Sequence, residues 1–155
     1  MNIYTPPTPI TSIKEHNKVF LAGTIDNGEA ELWGKSTVQF FKTLSKFKDW
    51  AFINPRRSDW DSSWEQSINN PQFKEQVEWE LEGLTISDII IMNFLPNSKS
   101  PITLLELGLF ADSGKIICCC PDEFWRSGNV HIICEKYKIP LYKNYQNLLY
   151  SFSIN

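Results

Sequence analysis

The sequence has no apolar run near the roughly 20 residues that a bilayer-spanning helix needs. Its longest, Ile89 to Met92 with its flanks, falls far short. Residues Met1 to Asn17 hold three prolines and no basic segment leading into an apolar run, so no signal peptide is expected. A soluble, cytoplasmic chain with no membrane partner is the expectation. Charge of one sign is also missing: 15 basic against 18 acidic side chains leave a net charge of −3. A nucleic-acid binder would need a concentrated basic face, and none is present. Glycine is sparse, seven in all, and forms neither GxGxxG nor GxxxxGK[ST], so no dinucleotide or ATP fingerprint is present. His16 and His131 stand isolated, and no Ser/His/Asp or Cys/His arrangement accompanies them. Cys118, Cys119 and Cys120 are adjacent, and Cys134 is alone. Adjacent side chains on an extended segment point to alternate faces, whereas a zinc site shows two separated pairs. Buried thiols on a core strand are therefore expected, with no metal and no cofactor.

What remains is enough for one domain. The 155 residues are 42% hydrophobic and 14% aromatic, with six tryptophans. The reading is a Pro-containing extension over 1–17 followed by a single domain over 18–155. Lys18 to Gly23 is a short apolar run closed by glycine, which predicts a buried strand. Trp33, Thr37, Phe40, Phe41, Leu44 and Phe47 then recur at helical spacing. A second strand, Trp50 to Asn54, is stopped by Pro55, and a polar loop runs from Arg56 to about Pro71. Gln72 to Thr85 is predicted helical, with Val77, Leu81 and Leu84 on its apolar face. Asp88 to Leu95 reads as a strand covered on both sides. Ser100-Pro101 predicts an N-cap and first helical position, opening a helix to about Ser113 that Gly114 ends. Lys115 to Cys120, Val130 to Tyr137, Ile139 to Tyr142 and a last helix through Tyr145, Leu148, Leu149 and Phe152 complete the series. Five β-α repeats imply a doubly wound, flavodoxin-like α/β fold, a five-stranded parallel sheet with helices on both faces. Ligands of such folds bind beyond the carboxyl ends of the strands.

Glu106 is the oddest residue in the chain. Its helical neighbours Ile102, Thr103, Leu109 and Phe110 are mostly apolar, so its carboxylate must be partnered or face a cleft. Glu80 sits at the margin of the preceding helix's apolar face. Two such acids fit the logic of glycosyl transfer, although Glu80 alone reads more often as a surface residue. Asp26 follows the first strand and suits either a sugar hydroxyl or turn chemistry. Arg56 and Arg57 follow the second strand, placed to grip an anion or to pair with Asp59 or Asp61. Trp60, Trp64 and Trp125 lie in loops where a ring either stacks on a planar base or packs the loop down.

Five segments together resemble the nucleoside 2-deoxyribosyltransferase-like family. They are VFLAGTID (Val19 to Asp26) with Trp33, NPRRSDWD (Asn54 to Asp61), QVEWELEGL (Gln76 to Leu84), SPITLLELGLFA (Ser100 to Ala111) and CCPDEFWRSGNV (Cys119 to Val130). The resemblance implies a flavodoxin-like fold and a retaining exchange of the base of a 2′-deoxyribonucleoside. Glu106 would be the nucleophile, carrying a 2-deoxyribosyl ester, and Glu80 would contact or protonate the departing base. Gly23, Thr24, Asp26, Asn54, Arg56, Arg57, Trp60, Ser100, Trp125 and Asn129 in the matching segments, with Trp64 just past the second of them, are candidate substrate-binding residues. Two departures bear on substrate. Ser100 stands six residues before Glu106, where the best-known transferases carry aspartate, and the first strand has no tyrosine. Serine there resembles the branch that hydrolyses nucleoside 5′-monophosphates, so that activity, or a non-catalytic nucleotide-binding module, is the alternative. The implied partners are a nucleoside or nucleotide, a free nucleobase, and further copies of the chain in a homo-oligomer.

Overall fold

The computed structural model describes residues 1–24 and 33–154. Among these, six strands form one parallel sheet: β1 (Asn2–Tyr4), β2 (Lys18–Gly23), β3 (Ala51–Ile53), β4 (Ile89–Asn93), β5 (Ile116–Cys119) and β6 (Leu141–Tyr142), in the order β1-β3-β2-β4-β5-β6. The helices are α1 (Trp33–Lys42), α2 (Pro71–Ile86), α3 (Pro101–Phe110), α4 (Ser127–Tyr137) and α5 (Tyr145–Ile154). Setting β1 aside, the strand order is that of a flavodoxin-like doubly wound sheet, as the β-α alternation predicts.

Two packed layers cover the sheet. Phe20, Ala22, Ile53, Ile90, Met92 and Cys118 face α2, α3 and α4, meeting Leu84, Leu107 and Val130. Val19, Leu21, Phe52, Ile91 and Cys119 face α1 and α5. On that side Phe41 is the hub, with its ring centroid 4.7 Å from Phe47, 5.0 Å from Phe52 and 4.9 Å from Phe152. Strands with both faces covered need unbroken apolar runs, which is why IIIMN and IICC lack alternation. All four cysteines are buried free thiols in these layers.

Four details differ from the sequence reading. The sheet has a sixth strand, because Asn2–Tyr4 pairs parallel with Ala51–Ile53 at the edge. No apolar run marks this strand; it exists because β3 leaves an edge open. The segment behind it is tied down by Tyr4 Oη and Asn2 Nδ2 donating to Glu15, and by Trp79 Nε1 donating to the Thr8 carbonyl at 2.7 Å. The helix from Trp33 stops at Lys42, and Ser45–Phe47 is a separate 3-10 turn after an extended Leu44. On α2 the buried residues are Gln76, Trp79, Gly83 and Leu84, while Val77 and Leu81 are exposed. Gly83 sets that orientation: a Cβ there would lie 2.8 Å from the Phe20 ring, so only glycine lets α2 seat so closely on β2. Finally, Ser100 precedes α3 in the left-handed region (φ 43°) and makes no side-chain cap.

Candidate active site

The chain leaves β2 for β3 on one side and reaches β4 on the other, so the sheet's switch point is the gap beyond Gly23 and Asn93. Gly23 is required there, because a Cβ would sit 2.5 Å from the Asn93 carbonyl and 2.8 Å from the Trp33 ring. The Thr24 N–H donates to the Asn93 carbonyl at 3.1 Å. The Thr24 hydroxyl accepts from the Leu95 N–H and meets the hydroxyls of Ser98 (2.9 Å) and Ser100 (2.6 Å), which are themselves 2.7 Å apart. Three buried hydroxyls thus form a closed triangle between the β2 end and the start of α3. The left-handed backbone at Ser100 turns its hydroxyl into this triangle and away from a helix cap.

Glu106 lies further along the same helix, whose buried face carries Thr103, Glu106 and Leu107. Ile102, Leu105 and Leu109 are 58%, 59% and 59% exposed, whereas Glu106 is 8% exposed. Hydrophobic burial alone would rotate the leucines inward and the carboxylate out. Burial first, and the Glu80 charge second, raise the Glu106 carboxyl to about 8.

Glu80 comes from the middle of α2 and is half-buried. Desolvation raises it to about 7, opposed by a hydrogen bond from Gln76. Gln76, one turn earlier, donates from Nε2 to Glu80 Oε1 at 2.7 Å and to the Pro55 carbonyl at 2.9 Å. Pro55 lies two residues past the end of β3, outside the strand ladder, and its carbonyl fixes this amide. Gln76 escaped the reading of the sequence, although an i, i+4 Gln-Glu pair on a helix is a recognisable signal. Ser98 escaped it too.

The other candidates are dispersed. Asp26 lies outside the described residues. Asn54 and Arg56 follow β3; the Asn54 carbonyl oxygen of the side chain accepts from the Arg56 N–H at 3.1 Å. Both line a cavity of about 360 Å³ on the α1 side, together with Thr24, Trp33 and Lys35. That cavity and the two glutamates approach the strand ends from opposite faces of the sheet. Arg57 is engaged elsewhere: its guanidinium pairs with Asp59 at 2.8 Å and Glu75 at 2.9 Å and stacks over Trp64 at 5.2 Å. Trp60 and Trp64 pack edge to face on each other, with centroids 5.2 Å apart. Trp125 is half-exposed; its Nε1 donates to the Lys99 carbonyl at 3.0 Å, and Arg126 lies over its ring. Asn129 is exposed in the first turn of α4.

The α2 and α3 carboxyls thus come close enough for the Glu80 charge to act on Glu106. The family model described as nucleoside 2-deoxyribosyltransferase like matches residues 16–124. The chain belongs to that family. The match spans β2 through β5 and so includes both glutamates, Gln76 and the hydroxyl triangle. No curated protein matches the chain. A crystal structure of a conserved protein from Enterococcus faecalis V583 is similar over 86% of this chain and 94% of its own, with a TM-score of 0.58 and 13% identity. At that identity the likeness shows the fold alone. Among the described residues no helix is long and apolar enough to cross a membrane.

Proposed function

We propose that the protein exchanges the base of 2′-deoxyribonucleosides through a covalent 2-deoxyribosyl ester on Glu106, with retention at the anomeric carbon. The observation that carries this reading is the buried carboxylate of α3, held inward while Leu105 and Leu109 stay exposed. Leu104 and Leu107 seat α3 on the core, but the desolvated carboxylate between them costs stability, and chemistry is the reason proposed for it.

With ionisations at about 7 and about 8, the two carboxyls hold a single proton between them in that interval. Glu106, raised further, holds that proton more of the time, so attack comes from the minor form in which the proton rests on Glu80 and the Glu106 carboxylate oxygen attacks the anomeric carbon. The bond from that carbon to the base breaks, its electron pair moves onto the base, and the base takes the Glu80 proton. An incoming base then attacks the same carbon from the face the first base left. It returns a proton to Glu80, and the ester bond breaks to restore Glu106. A 2-deoxy sugar suits this route, because no electron-withdrawing 2-hydroxyl opposes the oxocarbenium-like transition state.

The hydroxyl triangle supports a second reading, hydrolysis of a nucleoside 5′-monophosphate, with Ser98 and Ser100 holding the phosphate and water resolving the ester. A single experiment separates the two. The protein is incubated with a 2′-deoxynucleoside and a different free base, then with the matching 5′-monophosphate, and products are followed by chromatography. Exchanged nucleoside supports the first reading, and free base from the monophosphate alone supports the second. The absence of both overturns the assignment of an activity. The exposed Ile102, Leu105 and Leu109 stripe supports a homo-oligomer in which another copy covers the outer face of α3.

A further inference from the structure

Gln76 is 4% exposed, and both donors of its amide are in use, one on the Pro55 carbonyl and one on Glu80. Those two acceptors fix which way the amide points, since a flipped amide would set its oxygen against a carbonyl and a carboxylate. Its Oε1 is buried and has no hydrogen-bond partner among the described residues. This acceptor lies on the same planar amide as the nitrogen that donates to Glu80, which keeps it within an amide's width of the acid proposed to meet the departing base. A buried acceptor left unmatched is costly, and a ligand that brings a donor to it recovers that cost.

We infer that Gln76 is a specificity-determining residue that selects bases carrying an exocyclic amino group next to a ring nitrogen, the 6-aminopurines and 4-aminopyrimidines. The amino N–H donates to Gln76 Oε1 while the Glu80 carboxyl donates its proton to the adjacent ring nitrogen. The two protein groups, one acceptor and one donor, are complementary to the N7 acceptor and amino donor of adenine. A 6-oxopurine or a uracil presents a carbonyl oxygen at the same place, which sets acceptor against acceptor and leaves Gln76 unmatched. A site built to bond a substrate N–H rejects an analogue lacking it far better than an apolar pocket rejects a missing methyl group. This inference rests on the proposed function, since it assigns the base-contacting role to Glu80.

The test compares kcat/KM for 2′-deoxyadenosine against 2′-deoxyinosine and for 2′-deoxycytidine against 2′-deoxyuridine, in wild type and in Gln76→Met. Wild type is expected to favour the amino substrate of at least one pair by about 10- to 100-fold. In Gln76→Met that ratio is expected to fall to within about threefold of unity. A merely structural Gln76 would depress both members of a pair equally and leave the ratio unchanged, which overturns the inference. Equal use of both substrates by wild type overturns it as well, while the proposed function stands. If neither substrate turns over, the proposed function falls. Titration calorimetry of wild type with adenine and with hypoxanthine then decides the base preference alone: tighter adenine supports it, and equal or absent binding overturns it.

Discussion

Replacing Glu106 by glutamine is expected to make the protein more stable at alkaline pH while removing its activity. A carboxyl whose folded pKa is raised binds more protons folded than unfolded, so stability falls as pH rises through the interval between the two values. For Glu106 that interval runs from the ordinary 4.5 to about 8. At roughly 1.4 kcal/mol per unit the shift sets a ceiling of about 5 kcal/mol by pH 8. Glu80 takes part of that cost, because removing one charge relaxes the other, and water reaching the cleft screens more. About 2 kcal/mol is therefore expected. For a domain of this size it corresponds to roughly 4–8 °C in Tm. Glutamine keeps the shape and loses the charge. Thermal unfolding of both proteins between pH 4 and pH 8.5 should give curves that nearly coincide below 4.5 and separate above it, with Glu106→Gln higher. Parallel curves across that range would refute the claim that a desolvated, ionisable Glu106 is paid for in stability.

Three further outcomes follow from the packing. Gly83→Ala should cost about 1–3 kcal/mol in urea unfolding, because the new methyl meets the fully buried Phe20 and Ile53 at 2.8–3.1 Å; an unchanged midpoint would mean that α2 can lift from the sheet freely. Arg57→Ala should cost about 1–2 kcal/mol, from modest ion pairs to half-exposed partners plus the lost packing of its own covered side chain over Trp64, and leave KM within about twofold. A tenfold rise in KM would make Arg57 a substrate ligand after all. Leu105→Glu should lower the mass measured by light scattering if another copy covers α3, and an unchanged mass would place the contact elsewhere or show the chain to be a monomer.

Long-range alternation was legible in the sequence because each strand covered on both faces must be apolar throughout. VFLAG and IIIMN therefore announce β2 and β4 without help from neighbours. Asn2–Tyr4 carries no such mark, and its pairing depends wholly on the edge that β3 presents. The orientation of α2 was misread for a related reason. Val77 and Leu81 look like core residues by hydrophobicity, yet Gly83 permits the closest approach and so decides which side meets the sheet. On α3 the apolar spacing around Glu106 correctly signals desolvation of its carboxylate, but not that Ile102 and Leu109 point outward. The hydroxyl triangle joins Thr24 to residues 74 and 76 positions away, and only the fold brings them together. Among the tryptophans, Trp33 and Trp79 are buried and hydrogen-bonded to backbone carbonyls, and Trp50 is half-buried against Phe47. Trp60 and Trp125 remain exposed, Trp60 packed on Trp64 and Trp125 beneath Arg126.

The most direct test of the account is to trap the ester. Wild-type protein is mixed with a 2′-deoxynucleoside, quenched in acid within one turnover, digested and analysed by mass spectrometry. The expected result is a 2-deoxyribosyl increment on the peptide that contains Glu106, absent from Glu106→Ala, which also fails to turn over. Turnover by Glu106→Ala at the wild-type rate, with no sugar on that peptide in either protein, would contradict the central claim.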